Sequence, residues 1–197
     1  MPGWTRHTGQ AVHLPLENVD TDQLIPARFM SRPRSDGYGD YLLYDVRRND
    51  DGVLSPDFPI NQNAGASILI AGGNFGSGSS REAAVYALVD AGFQVVIAPS
   101  FGDIFSSNAV NNGVCPARMS REGIARLTDA MAGTFVVDLE KRTINSDIAT
   151  VSFELDDSWA TKLINGWDDI DLTLQHADQI AQYRAQRSKQ NWAWPQN

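Results

Sequence analysis

The residues best suited to chemistry lie in one segment rich in glycine and serine, residues 72–82, which reads Gly-Gly-Asn-Phe-Gly-Ser-Gly-Ser-Ser-Arg-Glu. Three well-known loops do not match it. A nucleophile elbow would need a second glycine, a dinucleotide loop would need glycine where Arg81 stands, and a Walker loop would need a lysine. What remains is a turn of hydroxyls, an arginine and backbone N–H groups at the start of a predicted helix, which favours binding of an anion.

A purely structural interpretation of this segment also exists. Ser79 and Glu82 fit an S-x-x-E capping box, so Ser79 could serve only as a helix cap and Arg81 as a solvated residue of the first turn. Glycines at positions 72, 73, 76 and 78 weaken that interpretation. A cap does not need them, whereas close approach of backbone to a ligand often does.

The elements around the segment form a predicted strand–helix–strand unit. Residues 67–71 are a short apolar run typical of a buried strand, residues 79–92 are predicted as a helix that stops at Gly92, and residues 93–99 are predicted as a second strand. About thirty residues is the length at which two such strands lie parallel. The first strand therefore ends in the glycines of the candidate site, and residues 67–113 are predicted to form the core around that site.

The rest of the chain is interpreted more coarsely. Residues 1–28 are predicted to be largely loop-like, and residues 29–66 form a long excursion rich in turn residues. Further elements are predicted as helices over 101–110, 121–131 and 174–186 and as strands over 134–139 and 150–155. Together they predict one α/β domain over residues 1–197, with a mixed sheet, flanking helices and an exposed tail at 190–197.

Composition argues against several classes of partner and cofactor. With 24 acidic and 16 basic residues, the net charge of −8 repels nucleic acid, and no apolar run is long enough to cross a membrane. No secretory signal is visible, and the single cysteine, Cys115, fits a reducing cytoplasm. One cysteine and three widely spaced histidines cannot build a zinc site or hold an iron–sulfur cluster, so we expect no metal on this chain.

Three motifs carry a resemblance to a known family. Residues 18–26 read Asn-Val-Asp-Thr-Asp-Gln-Leu-Ile-Pro, residues 76–84 read Gly-Ser-Gly-Ser-Ser-Arg-Glu-Ala-Ala, and residues 96–105 read Val-Ile-Ala-Pro-Ser-Phe-Gly-Asp-Ile-Phe. In this order they closely resemble the small subunits of 3-isopropylmalate dehydratase, which are swivelling domains of the aconitase superfamily. The likeness extends from about residue 9 to Tyr183.

The resemblance implies a swivelling-domain fold and a heteromeric hydro-lyase of leucine biosynthesis. Such an enzyme interconverts 2-isopropylmalate and 3-isopropylmalate through a dehydrated intermediate, and it is active only with a large subunit that carries a [4Fe–4S] cluster. The open iron can act as a Lewis acid on the substrate hydroxyl. A strong base must still remove a weakly acidic proton from carbon, and by analogy that base is Ser79 as an alkoxide. We expect N–H groups of the first helical turn to stabilise the alkoxide.

The resemblance also implies roles for other residues. Arg81 matches an arginine that grips a substrate carboxylate, which suits the guanidinium fork. Ser80 either donates to substrate or holds the turn. Asp22, beside Thr21, matches an active-site aspartate, with turn capping as its alternative. We therefore expect these residues, together with Arg34 from the excursion, to bind substrate.

The excursion, residues 29–66, is expected to read the variable group of the substrate, and here the sequence departs from the family pattern. The arginine of the pattern is displaced to Arg34, Asp36 stands where threonine is usual, and Ala83 replaces a common histidine. We expect Asp36 to be turned away from a dianionic substrate or to pair with Arg32 or Arg34. These departures keep open a related hydratase acting on citraconate, maleate or a methylmalate. A non-catalytic anion-binding module and a serine hydrolase are more distant alternatives.

Overall fold

A computed structural model of the chain describes residues 2–188, which form two four-stranded sheets with helices packed around them. The strands are β1 (Arg6–Gly9), β2 (Ala11–Leu14), β3 (Ile68–Ala71), β4 (Val95–Ala98), β5 (Cys115–Arg118), β6 (Phe135–Asp138), β7 (Thr143–Asn145) and β8 (Thr150–Ser152). The helices are α1 (Thr21–Leu24), α2 (Pro59–Gln62), α3 (Glu82–Asp90), α4 (Asp103–Asn111), α5 (Arg121–Thr128), α6 (Asp157–Asn165), α7 (Asp169–Leu174) and α8 (Ala177–Ser188).

The first sheet is parallel throughout and has the strand order β2-β3-β4-β5. Its two central strands read Ile-Leu-Ile-Ala and Val-Val-Ile-Ala, and every residue in them is buried. Such continuous apolar runs are typical of parallel strands covered on both faces. Because the strands are parallel, the segments that follow β2, β3 and β4 all emerge at one edge of the sheet, where ligand sites of α/β sheets commonly lie.

The second sheet is antiparallel and has the strand order β1-β6-β7-β8. Only Gln10 separates β1 from β2, so the chain passes from one sheet directly into the other. The predicted α/β class is confirmed, but the expectation of one mixed sheet is wrong. Residues 134–139 and 150–155 were correctly predicted to hold strands, yet these pair with β1 and β7 rather than with the parallel sheet.

The predicted strand–helix–strand unit is confirmed as β3, α3 and β4. The helix stops near Gly92, which has φ +95° and so takes the left-handed conformation that favours glycine. The predicted helices at 101–110 and 121–131 correspond to α4 and α5, whereas the one at 174–186 is divided into the end of α7 and the longer α8. The strands β1, β2, β5 and β7 and the helices α1, α2 and α6 were not predicted.

The excursion, residues 29–66, packs against α3 instead of extending into solvent. It contains α2 and short 3₁₀ turns at Arg34–Asp36 and Tyr38–Tyr41. Leu42 and Leu43 are fully buried, and the rings of Phe29 and Tyr41 stack with centroids 4.2 Å apart. Burial of these side chains gives the excursion a defined position. Its predicted role in reading substrate stays a prediction.

Two further expectations concern membranes and the tail. Within residues 2–188, none of the helices combines the length and apolarity needed to cross a bilayer. The predicted exposed tail, residues 190–197, lies outside the described residues.

Candidate active site

The segment between β3 and α3, residues 72–81, is called the glycine loop below. It is fastened on one side to the chain that follows β2. The N–H of Gly76 donates to the carbonyl of Val19 at 2.7 Å, and the N–H of Thr21 donates to the carbonyl of Ser77 at 2.9 Å. These bonds join residues nearly sixty positions apart. They bring the Asp-Thr-Asp motif of the sequence directly beside the serines of the loop.

On its other side the glycine loop takes part in an aromatic cluster of Phe75 in the loop, Phe101 after β4 and Phe105 in α4. Phe75 is fully buried and meets the rings of Phe101 and Phe105 edge-on. Gly76 has φ +72°, and a Cβ added there would lie 2.1 Å from the ring of Phe105. Only glycine satisfies both the left-handed backbone and this contact, which explains at least one glycine of the segment.

Thr21 is the direct link between the motif and Ser79. Its side chain is 2% exposed, and its hydroxyl donates to the carbonyl of Ser79 at 2.9 Å. The helix α1 that carries Thr21 is fixed by a capping box, in which Asp20 accepts from the backbone N–H of Gln23 at 2.8 Å. Thr21 therefore positions the backbone of Ser79. Direct contact between Thr21 and a substrate stays a prediction.

Arg81 and Asp22 form an ion pair across the same junction. The Arg81 side chain is 18% exposed, and the Asp22 side chain is 53% exposed. The Nη1 of Arg81 is buried and, although it lies against Asp22, it makes no aligned hydrogen bond. A mostly buried guanidinium with unused N–H donors can bind a second carboxylate, which would accept hydrogen bonds from them. The structure thus brings together Thr21, Asp22, Ser79 and Arg81, as the motifs implied.

The predicted capping box of Ser79 and Glu82 does not form, and this expectation is wrong. The helix α3 begins at Glu82, its N-cap residue is Arg81, and no side chain caps it. Gly78, with φ +93°, turns the chain just before Ser79, whose carbonyl is held by Thr21. Ser79 is therefore too far from the first turn to cap it.

Ser79 and Ser80 are both exposed, ahead of the N-terminus of α3. The first N–H groups of a helix carry partial positive charge, which favours an anion near them. The expected convergence of several N–H groups on the Ser79 hydroxyl is not formed in the described residues. The serines are thus presented to a ligand or partner instead of being consumed by capping.

Glu17 is a positioning residue that the sequence did not reveal. Its carboxylate accepts the backbone N–H of Gly73 at 2.7 Å and pairs with Arg121 at 2.7 Å. The hydrogen bonds from the Arg121 guanidinium hold the pKa of Glu17 below its usual value. Its partners lie 56 and 104 residues away along the chain, so no local pattern could have indicated the contact.

Arg34 lies apart from the glycine loop. Its guanidinium pairs with Asp90 at 2.8 Å and covers the ring of Tyr86 at 4.0 Å from the centroid. Asp90 ends α3, whereas Ser79 precedes the start of that helix. Of the alternatives for Asp36, pairing with Arg34 is wrong, because this guanidinium pairs with Asp90 instead. The role of Arg34 in substrate binding stays a prediction.

The described residues do not fit a resident metal cofactor. Within residues 2–188, no three side chains of histidine, cysteine, aspartate or glutamate lie close enough to hold a metal ion. Cys115 is fully buried in β5, and burial raises the pKa of its thiol. A buried protonated thiol is neither a metal ligand nor a nucleophile.

The part of the chain that forms the parallel sheet and the glycine loop matches a known family. Residues 1–122 match the family model described as the aconitase C-terminal domain, which covers more than half of the chain. The fold is thus that of the aconitase C-terminal domain class. Residues 169–193 match a second model, the C-terminal domain of 3-isopropylmalate dehydratase small subunits.

Individual relatives narrow the class. A 3-isopropylmalate dehydratase small subunit of Shouchella clausii is 46% identical over 190 residues, covering 94% of this chain and 96% of the relative. One of Bacillus subtilis is 47% identical over 188 residues, covering 92% and 94%. The crystal structure of a 3-isopropylmalate dehydratase from Methanocaldococcus jannaschii aligns with a TM-score of 0.63 at 27% identity, covering 91% of this chain and 99% of that chain. The chain belongs to the family of 3-isopropylmalate dehydratase small subunits, and the resemblance drawn from its motifs is confirmed.

Proposed function

We propose that this chain is the small subunit of a hydro-lyase that interconverts 2-isopropylmalate and 3-isopropylmalate in leucine biosynthesis, and that it acts only with a large subunit. One observation carries the proposal beyond family membership. The serines of the glycine loop, Arg81 and the Thr21–Asp22 pair meet at one edge of the parallel sheet, although they lie almost sixty residues apart in sequence. This arrangement combines a hydroxyl base with a cation for a carboxylate.

Ser79 is proposed as the base. As an alkoxide it takes the proton from the carbon beside a carboxylate, the electron pair of that C–H bond forms the alkene, and hydroxide leaves from the neighbouring carbon. Addition of water with the opposite regiochemistry returns the proton and moves the hydroxyl to the next carbon. The exposure of Ser79 is consistent with a group that meets its substrate at the surface of another subunit.

Arg81 is proposed to bind the substrate carboxylate adjacent to that carbon. Asp22 already holds one side of its guanidinium, which fixes its orientation before substrate arrives. Ser80 follows Ser79 in the loop and is exposed, so we assign it a hydrogen bond to substrate. Orientation by these groups raises the effective concentration of the base at the reacting carbon.

The [4Fe–4S] cluster is assigned to the large subunit. In this chain the only cysteine is Cys115, which is buried in a strand and protonated, so it offers no ligand. We further propose a cytoplasmic location, since a thiol of this kind and a biosynthetic role both suit a reducing compartment.

Reconstitution of the full chain with its large subunit tests this function. The complex is assayed with 2-isopropylmalate, citraconate and maleate, beside each subunit alone. We expect the complex to give the highest kcat/KM with 2-isopropylmalate and neither subunit to turn over substrate alone. Preference for citraconate or maleate would replace the proposed substrate, and turnover by the isolated chain would contradict the requirement for a partner. Absence of any turnover in a cluster-loaded complex would favour a non-catalytic anion-binding module.

A further inference from the structure

A cavity lies between the excursion and the C-terminal end of α3. It has a volume of about 450 Å³ and is lined by residues of the excursion, of the turn before β3 and of the segment that follows α3. Leu54, Ile60 and Phe93 form an apolar wall, of which Ile60 and Phe93 are less than 10% exposed. The charged groups that line the cavity are Arg47, Asp40 and Asp90, the last residue of α3.

Arg47 is the unusual group in this cavity. The residue is 9% exposed, and the Nη2 of its guanidinium donates to the backbone carbonyls of Gly39 at 3.4 Å and of Asp40 at 3.2 Å. Its Nε is buried without any partner. In the described part of the chain no carboxylate forms an ion pair with it. Burial, reinforced by the neighbouring charge of Arg48, lowers the pKa of Arg47, and the negative charge of Asp40 only partly offsets this effect.

A buried guanidinium without a direct ion-pair partner is costly, and a bound anion would lower that cost. The planar fork of the group favours a carboxylate, which can accept two of its N–H donors. Arg47 thus supplies one half of a binding site, and the lining of the cavity decides which carboxylate fits.

The other charges of the cavity favour a ligand that also carries a positive group. Asp90 lines the cavity, but Arg34 already neutralises it at 2.8 Å. Asp40 is exposed and has no ion-pair partner among residues 2–188. Arg47 and Asp40 attract each other but form no direct ion pair. The cavity therefore offers one cation and one anion and matches a zwitterion, whereas a di-acid would be repelled by Asp40.

We infer that this cavity binds an α-amino acid with an aliphatic side chain, with the carboxylate on Arg47, the ammonium group on Asp40 and the side chain against the apolar wall. The site is separate from the glycine loop and is independent of the proposed function. The subunit would then bind an α-amino acid at this cavity in addition to the di-acid substrate proposed for the glycine loop.

Calorimetric titration of the full chain with L-leucine and two derivatives tests the inference. The derivative 4-methylpentanoate lacks the ammonium group, and 3-methylbutylamine lacks the carboxylate. We expect saturable binding of L-leucine with a Kd below about 1 mM. Each derivative should bind at least about tenfold more weakly, since each loses one charged contact. No saturable binding of L-leucine, or equal binding of either derivative, would overturn the inference.

Variants then assign the contacts. Asp40→Asn should weaken L-leucine about tenfold but leave 4-methylpentanoate unchanged, because that derivative has no group for the carboxylate to hold. Asp36→Asn is the matched control on the same excursion and should change neither titration. Arg47→Gln should abolish binding of L-leucine. If Arg47→Gln does not fold, the Asp40→Asn comparison still decides, since equal weakening of both ligands would refute the ammonium contact.

Discussion

Substitution of Thr21 by valine separates positioning of Ser79 from stability of the fold. Valine has nearly the same shape as threonine, so Thr21→Val keeps the buried packing but removes the 2.9 Å hydrogen bond to the Ser79 carbonyl. The lost bond should cost about 1 kcal/mol, which lowers the Tm by about 2–4 °C in a chain of this size. The released loop should cost far more in rate, because a displacement of about 1 Å at a reacting group lowers turnover about 100-fold.

Thr21→Ser is the matched control, because it keeps the hydroxyl and removes only a methyl group. Its loss of buried surface is also worth about 1 kcal/mol, so the two variants should have similar Tm values. We expect Thr21→Ser to retain most of the kcat of the reconstituted enzyme and Thr21→Val to lose about 10- to 100-fold, with complex formation unchanged in both. Near-normal kcat in Thr21→Val, or equal loss in Thr21→Ser, would refute the positioning role.

Three further outcomes are expected. Gly76→Ala should lower the free energy of unfolding, measured in urea, by at least about 2 kcal/mol, because Gly76 has φ +72° and the new methyl group would collide with the ring of Phe105. A decrease smaller than about 0.5 kcal/mol would contradict this expectation. A hydrogen bond from the backbone N–H of Lys141 holds the pKa of the buried Asp138 carboxyl below its usual value, so ionised Asp138 stabilises the fold fully above that usual pKa. This stabilisation is lost as the pH falls through the lower pKa of the folded state. The Tm of the wild type should therefore exceed that of Asp138→Asn at about pH 7 and converge with it in strong acid, and a difference in Tm that does not change with pH would contradict this reasoning. Arg81→Lys should lower kcat/KM about 10- to 100-fold, because lysine cannot hold a carboxylate with two parallel bonds, and unchanged kinetics would exclude Arg81 from substrate binding.

The sequence predicted the centre of the fold well because its signals there are local. Continuous apolar runs define β3 and β4, and Gly92 ends α3 by its own left-handed conformation. The short strands β1 and β2 escaped prediction because neither is a continuous apolar run, and their pairing with β6 and β3 depends on distant segments. For the same reason the division into two sheets could not be recognised.

The candidate site shows the same division between local and distant causes. The motifs around Ser79 and Asp22 predicted which residues meet, and the structure places them together. The capping box failed because a tertiary hydrogen bond from Thr21 holds Ser79 outside the helix, and no propensity rule contains that contact. Glu17 and the pairing of Arg34 with Asp90 were missed because each joins segments more than fifty residues apart.

Turnover by a complex that carries Ser79→Ala is the most direct measurement of the role assigned to the glycine loop. The variant is reconstituted with the large subunit, beside Ser77→Ala as a matched substitution in the same loop, and both are assayed with 2-isopropylmalate. We expect Ser79→Ala to assemble normally and to lose at least about 1000-fold in kcat, while Ser77→Ala stays within a few-fold of wild type. Near-normal turnover by an assembled Ser79→Ala complex would show that another group removes the proton.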